Sequence, residues 1–382
     1  MLLRKFLVPE FVFGNDSRKL AGQYAKNLGA KNVLIVTDAE VLRCGWVKDI
    51  TDTLESKNIA YEIFSDVSPN PRDTQIMMGA QFYIQKNCNI IIAVGGGSVI
   101  DCAKGIGIVS SNHRHILEFE GVDMVPVPIP PLICIPTTSG SSADVSQFAI
   151  INNTTSRVKI AIISKSVVPD IALVDPVPLT SLNAHITAYT GIDALVHAVE
   201  AYVSSASSAF TDMHALKAIE LIAGNLRECV RNPFDLEIRG KIMLGSLHAG
   251  LAFSNASLGC VHALAHSLGG SLDIPHGICN AALLPGVIEF NYNYAESRYK
   301  DIYDIVVKNR KTSALSNIKS SLKQAASEFI QETGITFEQG ATGLGSEDIE
   351  ILATNALKDP CNATNPRRPS VKDFEILLKE VL

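Results

Sequence analysis

The chain has no C-x-x-C pair, no long basic run and no apolar stretch of about 18 residues. Each absence removes a class of function. The 8 cysteines, Cys44, Cys88, Cys102, Cys134, Cys229, Cys260, Cys279 and Cys361, are scattered, so neither a zinc ribbon nor a thioredoxin-type site is expected. Several interrupt apolar runs, as Cys134 does in L-I-C-I-P, and most read as buried, reduced thiols of a cytoplasmic protein. Without a long apolar run no transmembrane helix is expected. The opening M-L-L-R-K-F-L-V-P has neither a long apolar core nor a small-residue cleavage site, so no signal peptide is expected. Charged residues make up only 19% and the formal net charge is -6, a balance that excludes nucleic acid and anionic membrane surfaces as partners. There is no internal repeat and no low-complexity tract.

What is present points to two domains. The 382 residues exceed the roughly 100–200 of one domain, and 47% hydrophobic content supplies a sizeable core. Short β-branched runs at residues 32–37, 60–64, 89–94, 132–135 and 171–174 alternate with helical segments at 17–28, 46–57 and 74–87. That alternation predicts a doubly wound parallel sheet, a Rossmann-like α/β domain over residues 1–180. Two further apolar runs, 148–151 and 159–163, are read as strands as well. Beyond residue 180 the period is helical, at 185–203, 209–225, 238–253, 261–268, 313–333 and 371–381, which predicts an all-α domain over 181–382.

Four stretches and one strand-end acid carry chemistry. The strand at 89–94 runs into Gly95-Gly96-Gly97-Ser98 and then a helix, the arrangement in which backbone amides and a helix dipole hold a pyrophosphate. It is not G-x-G-x-x-G, so the usual dinucleotide fingerprint is absent. Asp38 closes an earlier strand, where an acid takes hydrogen bonds from ribose hydroxyls and repels a 2′-phosphate. A helix N-cap is the commoner role for such a residue. Residues 137–144, T-T-S-G-S-S-A-D, form a second small polar loop. In residues 190–197, T-G-I-D-A-L-V-H, Asp193 and His197 fall one helical turn apart, half of a metal site. Residues 259–276 offer His262, His266 and His276 for the other half, and spacing alone leaves all three open. His276, between Pro275 and Gly277, is expected on a loop. One carboxylate with two or three imidazoles suits iron(II) or zinc.

Taken together these motifs resemble the iron-containing (group III) alcohol dehydrogenase family. The resemblance runs through Pro69-Asn70-Pro71, G-G-G-S-V-I-D-C-A-K at 95–104, Pro136-Thr137-Thr138, T-G-I-D-A-L-V-H-A-V-E at 190–200, residues 253–276 and L-K-D-P-C-N-A-T-N-P at 357–366. It implies the architecture of dehydroquinate synthase-like enzymes. It maps the metal ligands to Asp193, His197, His262 and His276, and puts His266 near the nicotinamide and substrate as a proton relay. NAD contacts map to Asp38, Asn70, Gly96, Gly97, Ser98, Thr137, Thr138, Ser141 and Lys159, with Phe253 and Cys361 at the substrate pocket. The sequence departs from the family's T-T-A-G-T-x-S-E at residues 139–144, where Ser141 keeps the hydroxyl of the threonine it replaces.

The implied reaction interconverts a small primary alcohol and its aldehyde with NAD(H), the metal polarising the substrate oxygen. The pocket is expected in a cleft between the domains. Two alternatives stand beside this: reduction of a small anionic aldehyde such as sulfoacetaldehyde, with Arg367 and Arg368 as the nearest basic pair, and a low-activity regulatory homologue. A glycerol-dehydrogenase-like enzyme on the same architecture fits less well, because the Asp193/His197 pair favours the alcohol dehydrogenase branch. A homodimer or larger homo-oligomer is expected, with the apolar segment 6–13 as a strand able to pair by edge addition.

Overall fold

A computed structural model describes residues 5–156, 158–308, 318–336 and 345–382. The chain divides into two compact units, Leu7–Leu182 and Asn183–Leu382, the second also taking in the start of the chain up to Phe6.

The first unit is α/β. Its strands are β1 (Glu10–Phe13), β2 (Asn32–Val36), β3 (Ala60–Phe64), β4 (Ile90–Gly95), β5 (Gly121–Val122), β6 (Leu132–Pro136), β7 (Phe148–Asn153), β8 (Val158–Ile163) and β9 (Ile171–Val174). Its helices are α1 (Ala21–Asn27), α2 (Ala39–Arg43), α3 (Trp46–Glu55), α4 (Asp73–Gln85) and α5 (Gly97–Asn112). Six strands form one all-parallel sheet in the order β1-β9-β6-β4-β2-β3. Every residue of β4 and β6 is buried, as the unbroken apolar runs require when helices cover both faces. One face packs Leu34, Ile91 and Cys134 against Ile76 and Ala80 of α4 and Ile100 and Ile106 of α5. The other packs Val33, Ile92 and Ile133 against Ala21 and Ala25 of α1 and Ile50 and Leu54 of α3. Strand order reverses between β2 and β4, and ligands of such sheets bind outside the carboxyl ends of strands at that reversal. Those ends here carry Thr37-Asp38 and Gly95-Gly96-Gly97.

Two expectations change. The runs at 148–151 and 159–163 are strands but lie outside the parallel sheet: β7 and β8 pair antiparallel in a separate three-stranded sheet, β5-β8-β7. Both runs are apolar, and apolarity alone does not state the partner or its direction. The segment 6–13 is not one strand. Only Glu10–Phe13 joins the sheet, parallel to β9, while Phe6 groups with the helical unit, its ring 5.9 Å from Phe210 and stacked 5.7 Å from His214.

The second unit is helical among its described residues: α6 (Ala184–Val203), α7 (Ala209–Arg231), α8 (Leu236–Ala256), α9 (Cys260–Leu272), α10 (His276–Asn291), α11 (Glu296–Lys308), α12 (Ile318–Glu332), α13 (Ser346–Lys358) and α14 (Val371–Val381). Asn183, Ser208, Asp235 and Ser370 cap α6, α7, α8 and α14 by accepting from backbone N–H groups. Of the expected helix at 313–333, residues 313–317 lie outside the described residues. His276 is not on a loop: it is the first residue of α10. Pro275 just before it and Pro285 within it disguise that helix in the sequence. Among the described residues no helix is long and apolar enough to cross a membrane.

One buried charge gives the α/β unit a measurable signature. Asp144, on the loop after β6, is 5% exposed, and burial pushes its carboxyl up to about 6. The cation that offsets part of this is Lys104 of α5, fully buried, whose Nζ donates to the carbonyls of Ser146 (2.8 Å) and Phe148 (2.7 Å). Between the ordinary aspartate value and pH 6 the folded form binds more protons than the unfolded one. Stability therefore falls as pH rises through that window, by up to roughly 3 kcal/mol. Asp144→Asn is expected to match the parent near pH 4 and to exceed it by pH 7 in denaturant melts at each pH. A gap that stayed constant over that range would contradict the assignment.

Candidate functional site

The polar loops at the carboxyl ends of β4 and β6 touch one another. Helix α5 begins at Gly97 with Gly96 as its N-cap and no side-chain cap, so its first-turn amides are not taken up by a capping side chain. A Cβ on Gly97 would lie 2.6 Å from Ser141 Oγ, and one on Gly96 would lie 3.2 Å from the Thr138 side chain. Gly97 is therefore needed for the two loops to meet this closely, and a side chain at Gly96 would make Thr138 give by a few tenths of an ångström. Thr137 N donates to Gly95 O (3.0 Å), and Thr37 Oγ1 donates to Val94 O (2.8 Å). Asn70 has φ 57° and its N–H donates to Ser98 Oγ at 3.2 Å, which brings the Pro69-Asn70-Pro71 turn to the same place. Lys159 of β8 pairs with Asn152 of β7, whose N–H donates to Pro71 O at 2.8 Å. Asp38 ends β2 and caps α2: its Oδ1 accepts from Val41 N at 2.9 Å, and burial raises its carboxyl above the usual value. The sequence-predicted phosphate and sugar residues thus gather around one strand-end region, and Asp38 combines an N-cap with its place at the reversal.

Within the helical unit, side chains from three helices converge. Asp193 (α6), His262 (α9) and His276 (α10) have ligand atoms all within 4.8 Å of one another, and Nε2 of each histidine lies 3.9 Å from Asp193 Oδ1. Atoms bonded to one cation at roughly 2.0–2.2 Å stand about 3–4 Å apart, so the spacing fits a divalent ion. His276 reaches the cluster because Gly277 lets α10 pack on α6: a Cβ there would lie 2.2 Å from the Tyr189 carbonyl oxygen. His197, one turn after Asp193, does not share the close group. Its ring stacks on His262 at 4.4 Å and on Phe253 of α8 at 4.3 Å. His266 stacks on His276 at 5.1 Å, and its Nδ1 lies 2.7 Å from Asp359 Oδ2. Burial works against the Asp359 carboxylate, but the adjacent His266 overrides it and holds the carboxyl below the usual range. Cys361, whose N–H donates to Asp359 Oδ1 at 2.8 Å, is fully buried, and burial pushes its thiol well up, so it is not a thiolate.

Three residues of this neighbourhood were not singled out as site residues in the sequence: Glu200, Asn280 and Asp359. Asn280 Nδ2 lies 2.6 Å from Asp193 Oδ1 and 3.3 Å from His262 Nε2, while its buried Oδ1 finds no protein partner. An N–H donor drawn between a carboxylate and an imidazole lone pair marks a place rich in electron pairs, which is what a cation needs. The donor set therefore fits a divalent metal. Signals existed for two of the three: Glu200 continues the Asp193/His197 face of α6 by three residues, and Asn280 is four after His276. Asp359 reaches His266 across 93 positions and has no such signal.

Comparison with known proteins agrees along the whole chain. Residues 9–176 match the profile of iron-containing alcohol dehydrogenases, and residues 187–382 match the C-terminal profile of the Fe-containing alcohol dehydrogenase family. Alcohol dehydrogenase 4 of Schizosaccharomyces pombe is 38% identical over 387 residues, covering 100% of this chain and 90% of its own. The NAD-dependent methanol dehydrogenase of Bacillus methanolicus is 35% identical, with 99% of each chain covered. The crystal structure of a 1,3-propanediol oxidoreductase superposes with a TM-score of 0.94 at 34% identity over 100% of both chains. With the parallel sheet and helical unit of the dehydroquinate synthase-like fold in place, the chain belongs to the iron-containing alcohol dehydrogenase family.

Proposed function

We propose that the protein interconverts a small primary alcohol and its aldehyde with NAD(H), using iron(II) or zinc held by Asp193, His262 and His276, with His197 as fourth ligand. The observation that carries this reading is the buried carboxylate–imidazole cluster of α6, α9 and α10. A bound divalent metal supplies Lewis acidity toward the substrate oxygen, and the nicotinamide supplies or takes the hydride.

The chain's own residues have separate tasks. Gly96, Gly97 and Ser98 open the α5 amides to a pyrophosphate, and Asn70, Thr137, Thr138, Ser141 and Lys159 surround it. Asp38 repels a 2′-phosphate, which favours NAD(H) over its phosphorylated form. His266, its Nδ1 turned to Asp359, keeps Nε2 for holding or passing the proton that an alcohol loses. Phe253 and Cys361, both buried, back the apolar wall behind a short carbon chain. Relatives named for methanol and 1,3-propanediol agree with a short, neutral substrate.

An anionic aldehyde is disfavoured by the engagement of Arg367. Its guanidinium donates to Asp373 at 2.8 Å and lies 3.8 Å over the Phe290 ring, while Arg368 is exposed. A homo-oligomer in the cytoplasm is part of the same proposal. The test is NADH oxidation by anaerobically purified protein over acetaldehyde, lactaldehyde and sulfoacetaldehyde, repeated with NADPH. Turnover of a neutral aldehyde, at least tenfold better with NADH, is expected. Bound metal and NAD with no turnover on any aldehyde would sink the enzyme reading in favour of a regulatory homologue.

A further inference from the structure

Glu200 is 3% exposed, yet among the described residues no lysine or arginine is a hydrogen-bond partner, an expensive position for a carboxyl group. Its partners lie at the start of α9. Oε1 accepts from Val261 N at 2.7 Å, and Oε2 lies 2.6 Å from His262 Nδ1. Asn365 Oδ1 takes the neighbouring Cys260 N–H at 3.1 Å, so two side chains from distant parts of the chain close the first turn that carries His262. Gly259 makes room for them: a Cβ there would meet Asn365 Oδ1 at 2.6 Å and Glu200 Oε1 at 3.0 Å.

The direction of the His262 bond follows from the other side of the ring. The atom shared between Asp193 Oδ1 and His262 Nε2 is the Asn280 amide nitrogen, a donor, so Nε2 accepts. A neutral ring that accepts at Nε2 carries its proton on Nδ1, and Glu200 Oε2 receives it.

We infer that Glu200 is the positioning residue for the metal centre: it fixes the Nδ1–H tautomer of His262, aims its Nε2 lone pair at the cation, and anchors the α9 backbone at the same point. Asp193, His197 and Glu200 then act as one face of α6, spaced by four and three residues. The inference rests on the proposed role of His262 as a ligand. Outer carboxylates on ligating histidines are worth about 10–100-fold in metal affinity.

Glu200→Gln tests it with an isosteric change. The Gln carbonyl keeps the Val261 N–H, so its NH2 faces Nδ1 and drives His262 to the opposite tautomer, with a proton on Nε2 where the cation belongs. Cobalt(II) and zinc(II) affinities, measured by chelator competition on the full-length protein, are expected to fall about 10–100-fold. The cobalt absorption bands should shift, and Glu200→Asp should recover part of the loss. NADH binding, read by fluorescence, should stay as in the parent. Unchanged metal affinity in Glu200→Gln, with affinity abolished in His262→Ala, overturns the positioning role alone. Unchanged affinity in both overturns the ligand assignment beneath it. Should the Gln variant fail to fold, 15N spectra of the parent, assigned with His262→Gln, read the tautomer directly. A proton on Nε2 would overturn the inference.

Discussion

Asp193→Ala is expected to lose metal and turnover together. Asp193 is the only carboxylate among the three clustered ligand atoms, and it lies within 3.9 Å of both imidazole nitrogens. Without it a divalent cation would sit among neutral nitrogens in a buried place, where uncompensated charge is costly. The variant should retain its fold, because Ala suits the middle of α6 and the removed group is small. The loss of substrate polarisation is worth several kcal/mol, so kcat/KM should fall by at least about a thousandfold. Metal analysis and initial rates on one preparation check it. A variant that kept metal but lost rate would move Asp193 from ligand to proton chemistry. One that kept both would disqualify the cluster.

Gly97→Ala is the second large effect, and it acts in the other unit. The added methyl would lie 2.6 Å from Ser141 Oγ and 2.7 Å from Ser141 Cβ. Either the 137–144 loop retreats or the start of α5 does, and the α5 amides proposed to hold the pyrophosphate lose their common aim. Overpacking of this kind costs about 1–3 kcal/mol, which read as binding is roughly tenfold to a hundredfold weaker NAD(H). The metal affinity of the variant should equal that of the parent, which separates this effect from general unfolding. Fluorescence titration with NADH measures it, and unchanged binding would mean that the cofactor does not use this cradle.

The strand-to-glycine step at β4 and α5 was legible because a fully buried parallel strand must be apolar throughout, and a backbone approach such as Gly97 to Ser141 admits no side chain. The Asp193/His197 spacing was legible because helix periodicity is local. What escaped depends on partners far along the chain. Asp359 becomes important only when His266 packs beside it, and Glu200 only when α9 begins where its carboxylate waits. Pattern also failed where prolines contradict the outcome. Pro275 and Pro285 hid α10, and with it the fact that His276 opens a helix rather than sitting on a loop. The pairing of β7 with β8 was hidden for a related reason: apolar runs declare burial and leave direction to be set by the turn between them. Local spacing put His197 one turn from Asp193 but could not give its ring contacts, which stack it between His262 and Phe253 beside the three clustered donors.

The most direct measurement is metal analysis of anaerobically purified protein, paired with NADH-dependent aldehyde reduction before and after chelation. About one iron or zinc per chain is expected, with loss of turnover on chelation and recovery on returning iron(II) or zinc. Full turnover by protein freed of metal would contradict it.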